Sequence, residues 1–383
     1  MAENKILQGN EACAEAALLA GCRFFAGYPI TPSTEIAEIM ANKLPEVGGV
    51  FLQMEDEIAS AMALVGASWG GSKPMTATSG PGICLMTESL GCAVVMETPC
   101  VFVNVMRCGP SSGAATAPSQ ADVFQVKYGS NGDYSVIALS PSNAQEMFDL
   151  TIRAFNLAEE YRTPVFILTD EIVAHTRERV VIPSQEEIKL VERKKPNCPP
   201  DEFVIYKSDA NGVPMAMPAF NEGYKLSILS TPHDENGFKV IDVSNKKNAK
   251  IASDLNNRLI DKIENNVDDI AELEETFIDD AEIIVISYGS VARSSLNAVK
   301  TAREKGYKVG NVKLKTLWPF PKERIKKYLM QAKRVIVPEM NAGQVVLEIE
   351  RVNQGYCRVV SLPKLGGQYH NPSEILSIIM GGE

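Results

Sequence analysis

The feature that most limits the fold of this chain is a repeated alternation of apolar strand segments with helical segments. Over residues 1–185, short apolar runs such as CRFFAG, PCVFVNVM and PVFILTD are separated by longer segments with a helical pattern. The same alternation resumes near residue 280, with AEIIVISYGS and KRVIVPEM. Apolar strands separated by helices indicate parallel sheets that are covered on both faces, so we predict an α/β fold.

The chain divides by composition into three regions. We expect a first α/β domain over residues 1–185, a partly irregular linker over 186–275, and a second, smaller α/β domain over 276–383. The middle region contains the charged, proline-rich segment KLVERKKPNCPPDE and the turn-rich segment STPHDENG. Such segments are typical of irregular chain, so we expect this region to wrap around a domain rather than form one.

Composition argues against several classes of partner and site. The net formal charge of −10 and the pI of about 5.1 are unfavourable for binding nucleic acid or an anionic membrane surface. No apolar run is long enough to predict a transmembrane helix. The segment MAENKILQGNEACAE lacks the basic and apolar regions of a signal peptide, so we expect a cytoplasmic protein. The eight cysteines include no CxxC pair, so we expect reduced thiols and assign no metal site to this chain.

The segment TSGPG, from Thr78 to Gly82, joins a predicted strand to a predicted helix. Gly80 and Gly82 allow close approach to the backbone, and the N-terminus of the helix offers unpaired N–H groups. The segment lacks the GxGxxG pattern of nicotinamide-binding proteins and the lysine of a P-loop. By itself it is equally compatible with a tight turn between a strand and a helix.

Three consecutive acidic residues, Glu55, Asp56 and Glu57, precede the helical segment IASAMALVGA. Carboxylates in a first helical turn suit the helix dipole, which explains one or two of them without any catalytic role. Glu57 has a glycine of the same helix, Gly66, nine residues further on, with small residues between. A catalytic role for one of these acids requires that its carboxylate lies in an apolar site.

Two further polar residues follow strands that we predict to be buried. Thr31 stands between two prolines in GYPITPSTE, directly after CRFFAG, and Arg107 follows PCVFVNVM. Loops after the carboxyl ends of strands are where α/β proteins bind ligands. An arginine in such a loop can hold a carboxylate with two N–H groups, although a surface arginine is the alternative for Arg107.

Together these motifs resemble a known family. The E-x8-G pattern of Glu57–Gly66, followed by ATSGPG, is similar to the pyrimidine-binding domain of thiamine diphosphate enzymes. With GNEACAEAALLAGCRFFAGYPITPSTE, QMEDEIAS, NVMRCGP and YGSVARS, nearly the whole chain resembles the alpha subunit of 2-oxoacid:ferredoxin oxidoreductases, most closely the 2-oxoglutarate type. The resemblance implies a pyrimidine-binding domain followed by an α/β domain like the C-terminal domain of transketolase.

The resemblance also implies a role for each candidate residue. Glu57 matches the glutamate that hydrogen-bonds the aminopyrimidine ring of thiamine diphosphate. Gly80 and Gly82 match the cofactor-binding turn. Thr31 matches a threonine directed at the substrate, and Arg107 matches the arginine that pairs with the substrate carboxylate.

The implied reaction is the coenzyme A-dependent oxidative decarboxylation of 2-oxoglutarate to succinyl-CoA and carbon dioxide, with reduction of ferredoxin. The chain has no GDG motif followed by a distant asparagine. We therefore expect the magnesium–diphosphate site on a beta subunit, which in this family also carries a [4Fe–4S] cluster. The helices PGICLMTESLGCAVVME and IASAMALVGASWGG are the candidate contacts with that subunit. Gamma and ferredoxin-like delta subunits are further candidate partners.

Alternatives to this function stay open at this point. Cys108 stands beside Arg107 where glycine is typical of the family, and SSGAATAPSQADVFQ mixes features of the 2-oxoglutarate and branched-chain types. The substrate alternatives are a branched-chain 2-oxoacid or pyruvate. A non-catalytic assembly or regulatory paralogue is the alternative of another class. In the second domain, TLWPFP and VPEMNAGQ are candidates for a subunit interface or a coenzyme A contact, although internal packing explains them as well.

Overall fold

The computed structural model describes residues 3–382 and contains three sheets with helices around them. The strands are β1 (Glu3–Leu7), β2 (Cys22–Gly27), β3 (Val50–Gln53), β4 (Lys73–Thr78), β5 (Cys100–Cys108), β6 (Ala114–Pro118), β7 (Ile137–Leu139), β8 (Pro164–Asp170), β9 (Glu178–Ile182), β10 (Leu273–Thr276), β11 (Ile283–Tyr288), β12 (Val309–Leu314), β13 (Thr316–Trp318), β14 (Arg334–Glu339) and β15 (Arg358–Pro363). The helices are α1 (Gly9–Leu19), α2 (Thr34–Lys43), α3 (Glu57–Trp69), α4 (Gly80–Val95), α5 (Val123–Tyr128), α6 (Ala144–Tyr161), α7 (Glu171–His175), α8 (Lys246–Glu264), α9 (Val267–Ile270), α10 (Val291–Glu304), α11 (Lys322–Gln331), α12 (Val345–Asn353) and α13 (Pro372–Ile379).

The first sheet has the strand order β13-β7-β8-β5-β4-β2-β3, and β6 pairs with β5 beside this path. Its central strands run parallel, as the apolar runs predict. Alternate side chains of β5 pack into two different cores: Val101 and Val103 lie in one, Phe102 and Met106 in the other. The sheet is therefore covered on both faces, which explains why β5 has consecutive apolar residues, as in Val101–Val103, rather than apolar residues at alternate positions only.

The second sheet has the order β10-β12-β11-β14-β15. Strands β12, β11, β14 and β15 are parallel, whereas β10 runs antiparallel to β12. Helices α10 and α13 pack together, as do α11 and α12. The alternation of strands and helices after residue 280 therefore forms a second α/β layer, as the sequence pattern predicts.

One short strand links the two sheets. Strand β13 lies in the sequence between strands and helices of the second sheet, yet it pairs antiparallel with β7 at the edge of the first sheet. Trp318 at its end is buried and donates its indole N–H to the carbonyl oxygen of Val123 at 3.0 Å. The TLWPFP segment therefore packs inside the chain, where Phe320 is also buried.

The segment after Arg107, which the sequence suggests is a long loop, is a hairpin instead. Strand β6 folds back on the end of β5 and pairs with it antiparallel. The turn needs Gly113, because its φ is +55° and a Cβ at this position would overlap the carbonyl oxygen of Cys108. The hairpin fixes the position of Arg107 at the carboxyl end of β5.

Residues 188–245 contain neither helix nor strand apart from two isolated β-bridges. A buried polar cluster holds this irregular segment against the first sheet. Arg162, at the C-terminal end of α6, donates to the carbonyl oxygens of Ile205 and Ala216, the latter at 2.7 Å. On α8, Arg258 donates to the carbonyl oxygen of Gly212 at 2.9 Å. These arginine side chains thus donate hydrogen bonds to backbone carbonyl oxygens of the irregular segment, which has no sheet or helix to satisfy them.

The same cluster contains one buried carboxylate, Glu97, which accepts hydrogen bonds from Lys262 at 2.7 Å and from Arg258. Burial would raise the pKa of Glu97, but the positive charges of Lys262 and Arg258 outweigh burial and lower it to about 2. The carboxylate is therefore charged at neutral pH and balances part of the charge of the buried cations.

We predict that Glu97→Gln lowers the free energy of unfolding by about 3–5 kcal/mol at pH 7, because it leaves Lys262 without a charged partner in a buried site. Urea unfolding followed by circular dichroism measures this. Glu282→Gln is the control, since Glu282 pairs with Lys333 at the surface and surface pairs contribute at most about 1 kcal/mol.

The contribution of Glu97 to the free energy of unfolding should change with pH in one definite direction. Because the folded pKa of Glu97 lies below its ordinary value of 4.5, its stabilising contribution is present above pH 4.5 and is lost as the pH falls towards 2. The stability difference between wild type and Glu97→Gln should shrink over that range. A difference that stays constant between pH 7 and pH 2.5 would contradict this assignment.

Candidate active site

The candidate residues lie at the carboxyl ends of neighbouring parallel strands. Thr31 follows β2, Glu57 begins α3 after β3, Gly80 and Gly82 open α4 after β4, and Arg107 lies near the end of β5. Strands β3, β2, β4 and β5 are adjacent in the first sheet. The fold therefore places all five residues along one edge, which is where open α/β sheets bind ligands.

The three acidic residues before α3 have different environments. Asp56 is the N-cap of the helix and accepts a hydrogen bond from the backbone N–H of Ala59 at 2.8 Å. Glu55 is exposed, whereas Glu57 is only 5% exposed. Helix capping accounts for Asp56, and Glu57 is the carboxylate that meets the requirement of a buried site.

Gly82 makes room for the Glu57 side chain. A Cβ at Gly82 would overlap the hydroxyl of Thr78 and would lie 2.6 Å from Oε1 of Glu57. The first turn of α4 can therefore contact the carboxylate only if this residue is glycine. Gly80 has a similar but looser contact, since a Cβ added at this position would lie 3.1 Å from Oδ2 of Asp122. The role of the two glycines within this chain is to let acidic side chains reach the start of α4.

Burial raises the pKa of Glu57. The negative charge of Asp56 raises it further, and the positive charge of Arg107 opposes the rise. No side chain within residues 3–382 donates a hydrogen bond to this carboxylate. Its backbone N–H is a donor that opposes the rise. A buried carboxylate whose pKa is raised despite this favours its protonated form or a partner that shares a proton with it.

The threonine of the YPITP turn and Arg107 are in direct contact. Nη1 of Arg107 donates to the backbone carbonyl of Thr31 at 2.6 Å, and Nη2 donates to the carbonyl of Ser112 at 2.8 Å. Three of the five guanidinium N–H groups remain for other acceptors, and the buried Nε has no partner among the described residues. Thr31 itself is exposed.

Asn10 supports the YPITP turn through hydrogen bonds, a role that was not identified from the sequence. Its buried amide donates to the carbonyl oxygen of Pro32 and to the Glu35 carboxylate, both at 2.8 Å. The quoted segment GNEACAE contains this asparagine at the start of α1. The sequence offered little signal for this role, because α1 also contains Glu11 and Glu15 and only the structure shows that Asn10 is the buried one.

A cavity of about 500 Å³ has Gly80, Arg107 and Asp122 in its wall. Thr31, Glu57 and Gly82 are not among the residues that line it. Asp122, also missed by the sequence reasoning, accepts a hydrogen bond from Asn104 at 3.0 Å, and burial raises its pKa. The opposite wall comes from the second sheet, through segments that include Asn341 of VPEMNAGQ. The cavity therefore lies between the two sheets.

Comparison with known proteins identifies the family. The sequence model described as pyruvate flavodoxin/ferredoxin oxidoreductase, thiamine diphosphate-binding, matches residues 15–253, and pyruvate:ferredoxin oxidoreductase core domain II matches residues 281–375. The 2-oxoglutarate synthase subunit KorA of Methanothermobacter marburgensis is 52% identical over 381 residues, which cover 100% of both chains. The chain belongs to the 2-oxoacid:ferredoxin oxidoreductase family. The resemblance to this family that the sequence indicated is thereby confirmed.

A more distant relative and two solved structures are also similar to this chain. The ketoisovalerate oxidoreductase subunit VorB of Methanothermobacter thermautotrophicus is 35% identical over 377 residues, covering 98% of this chain and 97% of that protein. A solved 2-oxoglutarate:ferredoxin oxidoreductase from Magnetococcus marinus, with 2-oxoglutarate, coenzyme A and succinyl-CoA bound, has a TM-score of 0.89 at 32% identity. The match covers 98% of this chain and 65% of that one. A split-gene transketolase, at a TM-score of 0.55 and 12% identity, shares the fold alone.

No helix within residues 3–382 has the length and apolar character to cross a membrane. The same residues contain no group of three or more His, Cys, Asp or Glu side chains that could hold a metal ion.

We predict that Gly82→Ala destabilises the chain by about 1–3 kcal/mol, because the added methyl group overlaps Thr78 and displaces Glu57. Thermal unfolding of the isolated chain measures this. Gly66→Ala is the matched control, since a Cβ at this exposed helix position meets nothing within 4 Å. It should be neutral or stabilising by about 0.5–1 kcal/mol. Equal effects of the two substitutions would show that the contact with Glu57 is unimportant.

Proposed function

We propose that this chain is the alpha subunit of a 2-oxoglutarate:ferredoxin oxidoreductase that forms succinyl-CoA and carbon dioxide from 2-oxoglutarate and coenzyme A. The observation that carries the proposal is the buried Glu57 carboxylate, which lies against Gly82 and within reach of the positive charge of Arg107. Full-length similarity supports the choice of substrate. Four 2-oxoglutarate synthase KorA subunits are 41–52% identical to the chain, and two ketoisovalerate subunits are 35% identical.

The residues of the site fit the pyrimidine half of thiamine diphosphate. When bound, the cofactor supplies the electron sink that decarboxylation of a 2-oxoacid requires. Glu57 would share a proton with a ring nitrogen of the aminopyrimidine, which the raised pKa of its carboxyl group favours. The lack of a side chain at Gly82 gives the carboxylate its place, and its burial limits the access of water.

Arg107 and Thr31 would position the substrate. The contact of Arg107 with the Thr31 carbonyl fixes the guanidinium over the YPITP turn. Its remaining N–H groups would bind the carboxylate next to the keto group, in the bidentate manner that guanidinium groups favour. The exposed Thr31 hydroxyl would donate to the same end of the substrate.

A beta subunit would complete the site. Ile58, Met62 and Gly66 form an exposed stripe on one face of α3, at i, i+4 and i+8, and Leu85 is exposed on the neighbouring helix α4. Exposed apolar side chains beside a catalytic group indicate a protein contact. We assign this stripe to the beta subunit, which would also hold the diphosphate with its magnesium ion and the [4Fe–4S] cluster. Gamma and ferredoxin-like delta subunits, and ferredoxin itself, would be the remaining partners.

Two other functions make different predictions. A branched-chain or pyruvate enzyme would use the same Glu57 but would prefer another 2-oxoacid. A non-catalytic assembly or regulatory paralogue would form the complex and would not need Glu57. The burial of Glu57 against Gly82 favours the catalytic function, because a buried carboxylate with no side-chain donor is unfavourable in the folded chain unless a ligand uses it.

We predict that Glu57→Gln lowers the turnover number by about 10²–10⁴-fold, the usual contribution of a group that moves or holds a proton. The assay is anaerobic, coenzyme A-dependent reduction of a viologen dye by the chain co-expressed with its beta subunit, with 2-oxoglutarate, pyruvate and 2-oxoisovalerate. Glu55→Gln should retain activity, because Glu55 is exposed. An unaffected Glu57→Gln complex would support the paralogue.

The same substitution should raise the stability of the isolated chain at pH 7. Because the folded pKa of Glu57 is raised, charging it destabilises the fold as the pH rises through that pKa, and glutamine avoids this. The difference in melting temperature should vanish at low pH, where both chains are neutral at this position. This result would separate a lost catalytic group from a damaged fold.

We predict that Met62→Glu weakens association with the beta subunit by about tenfold or more, because it places a charge in the apolar stripe. Met62 is 41% exposed, and Met330 on α11 is 62% exposed, so Met330→Glu is the matched control. Size-exclusion chromatography and titration calorimetry of the separately purified subunits measure the association. Equal behaviour of the two variants would place the beta subunit elsewhere.

A further inference from the structure

The imidazole ring of His175 lies between two carboxylates that belong to different helices. His175 is the last residue of α7, and its Nδ1 atom lies 2.9 Å from Oε1 of Glu171 on the same helix. Its Nε2 atom lies 3.4 Å from Oε1 of Glu35 on α2. The side chain is 29% exposed, so the ring is partly shielded from water. Its charge is therefore felt by both carboxylates.

The contact with Glu35 depends on whether the ring is protonated. A carboxylate accepts hydrogen bonds, and the shorter distance assigns the proton of the neutral ring to Nδ1, which donates to Glu171. The neutral ring then directs the bare lone pair of Nε2 at Glu35, and this buried atom has no hydrogen-bond partner among the described residues. Protonation places an N–H on Nε2. The contact therefore changes from repulsive to attractive when the ring gains a proton.

Glu35 connects the imidazole ring to the YPITP turn. Its Oε2 atom accepts one N–H of the Asn10 side chain at 2.8 Å, and the same amide group donates to the carbonyl oxygen of Pro32 at 2.8 Å. Pro32 directly follows Thr31, whose carbonyl oxygen accepts Nη1 of Arg107 at 2.6 Å. An unbroken series of polar contacts thus leads from the imidazole ring to the guanidinium group of the candidate site.

We propose that protonated His175 is a positioning residue of the 2-oxoacid site. It holds Glu35, and through Asn10 the YPITP turn, so that Arg107 keeps its place. Loss of the proton releases Glu35 and weakens binding of the 2-oxoacid without changing the chemical step. The inference rests on the proposed function, because it requires that Arg107 and the turn bind the 2-oxoacid.

The direction of the pH dependence follows from the contacts of the ring. The hydrogen bond to Glu171 raises the pKa of His175, the charge of Glu35 raises it further, and burial opposes the rise. The support of the turn is therefore fully present below the ordinary pKa of 6.5 and is lost as the pH rises through the raised pKa. The carboxylates of a 2-oxoacid and the guanidinium group of Arg107 stay charged throughout this range, so neither produces the change.

The elements that pack against α7 present few competing charges to the imidazole ring. Strand β6 contains no ionisable residue. Charged groups on the other elements have partners of their own: Glu11 of α1 with Arg177, Glu146 of α6 with Lys313, Asp170 of β8 with the backbone N–H of Ser290, and Arg107 of β5 with two carbonyl oxygens. The protonation of His175 therefore acts mainly on the two carboxylates that face its ring.

The test measures KM and kcat of the complete complex between pH 6 and pH 9, with the 2-oxoacid that it converts fastest. The wild-type KM for this acid should rise about two- to fivefold with pH, the effect expected for one partly exposed ion pair. The KM for coenzyme A should not show this step. His175→Asn keeps a donor for Glu171 but carries no charge, so its KM at pH 6 should equal the wild-type value at high pH.

Two substitutions on α2 test the partner of the imidazole ring. Glu35→Gln keeps an acceptor for Asn10 but removes the charge that responds to His175, so its KM should not change with pH. Glu38→Gln is the matched control, because Glu38 is exposed on the same helix and its loss changes the net charge equally. This control should keep the wild-type pH dependence. If His175→Asn fails to fold, the comparison of these two variants decides.

Hydrogen exchange of the complex reports on the turn independently of activity. At pH 6, residues 27–33 should exchange faster in His175→Asn than in the wild type, because the turn has lost part of its support. At pH 9 the two proteins should exchange alike, since both then carry a neutral side chain at this position.

The outcomes separate the role of His175 from the proposed function. A complex that converts none of 2-oxoglutarate, pyruvate and 2-oxoisovalerate, although His175→Asn loosens the turn at pH 6, would overturn the function and leave the support of the turn intact. An active complex whose His175→Asn variant keeps the wild-type pH dependence of KM would overturn the role of His175 alone. A variant that loses kcat and raises both KM values equally at every pH would also overturn it, because this indicates general damage to the fold.

Discussion

A buried hydrogen-bond network between the two sheets determines where the candidate site can form. The side-chain amide of Gln120 donates to the carbonyl oxygen of Tyr288 at 3.0 Å. The side-chain amide of Asn341 in turn donates to the backbone carbonyl oxygen of Gln120 at 2.7 Å. Asp170, at the end of β8, accepts the backbone N–H of Ser290 at 2.8 Å. These bonds join the loops of the first sheet to the loops of the second. Because buried polar groups need their partners, the two sheets have one relative position in which the network is satisfied.

Glu339 extends the network into the second sheet. It accepts the hydroxyl of Tyr288 at 2.8 Å and the backbone N–H groups of Val345 and Val346 at the start of α12. A carboxylate at this place satisfies N–H groups that a helix leaves unpaired. Gly289 is required beside it, because a Cβ there would lie 2.6 Å from Oδ2 of Asp170. The cavity between the sheets therefore has rigid walls on both sides, which a site that orients a substrate requires.

Hydrophobic periodicity was sufficient to predict both α/β layers, because a strand buried on two faces is apolar throughout and stands out from an amphipathic helix. The motifs around Glu57 and Gly82 could likewise be recognised in the sequence, because they belong to a local contact between α3 and α4. The contacts that pattern did not reveal are all distant in sequence: the pairing of β13 with β7, the support of the YPITP turn by Asn10, and the approach of Lys364 to the cavity. Periodicity describes which face of an element is buried and carries no information on which element covers it.

The two glycines that the sequence singled out on α3 and α4 differ in one respect that bears on the whole complex. Gly82 is packed so closely against Glu57 and Thr78 that no other residue fits, so its role is complete within the chain. Gly66 meets nothing within 4 Å and lies on the exposed face with Met62. Glycine in an exposed helix position destabilises an isolated chain relative to alanine. A glycine at that position, on a stripe of exposed apolar residues, leaves room for close approach of the proposed beta subunit, and Glu57 begins the same helix.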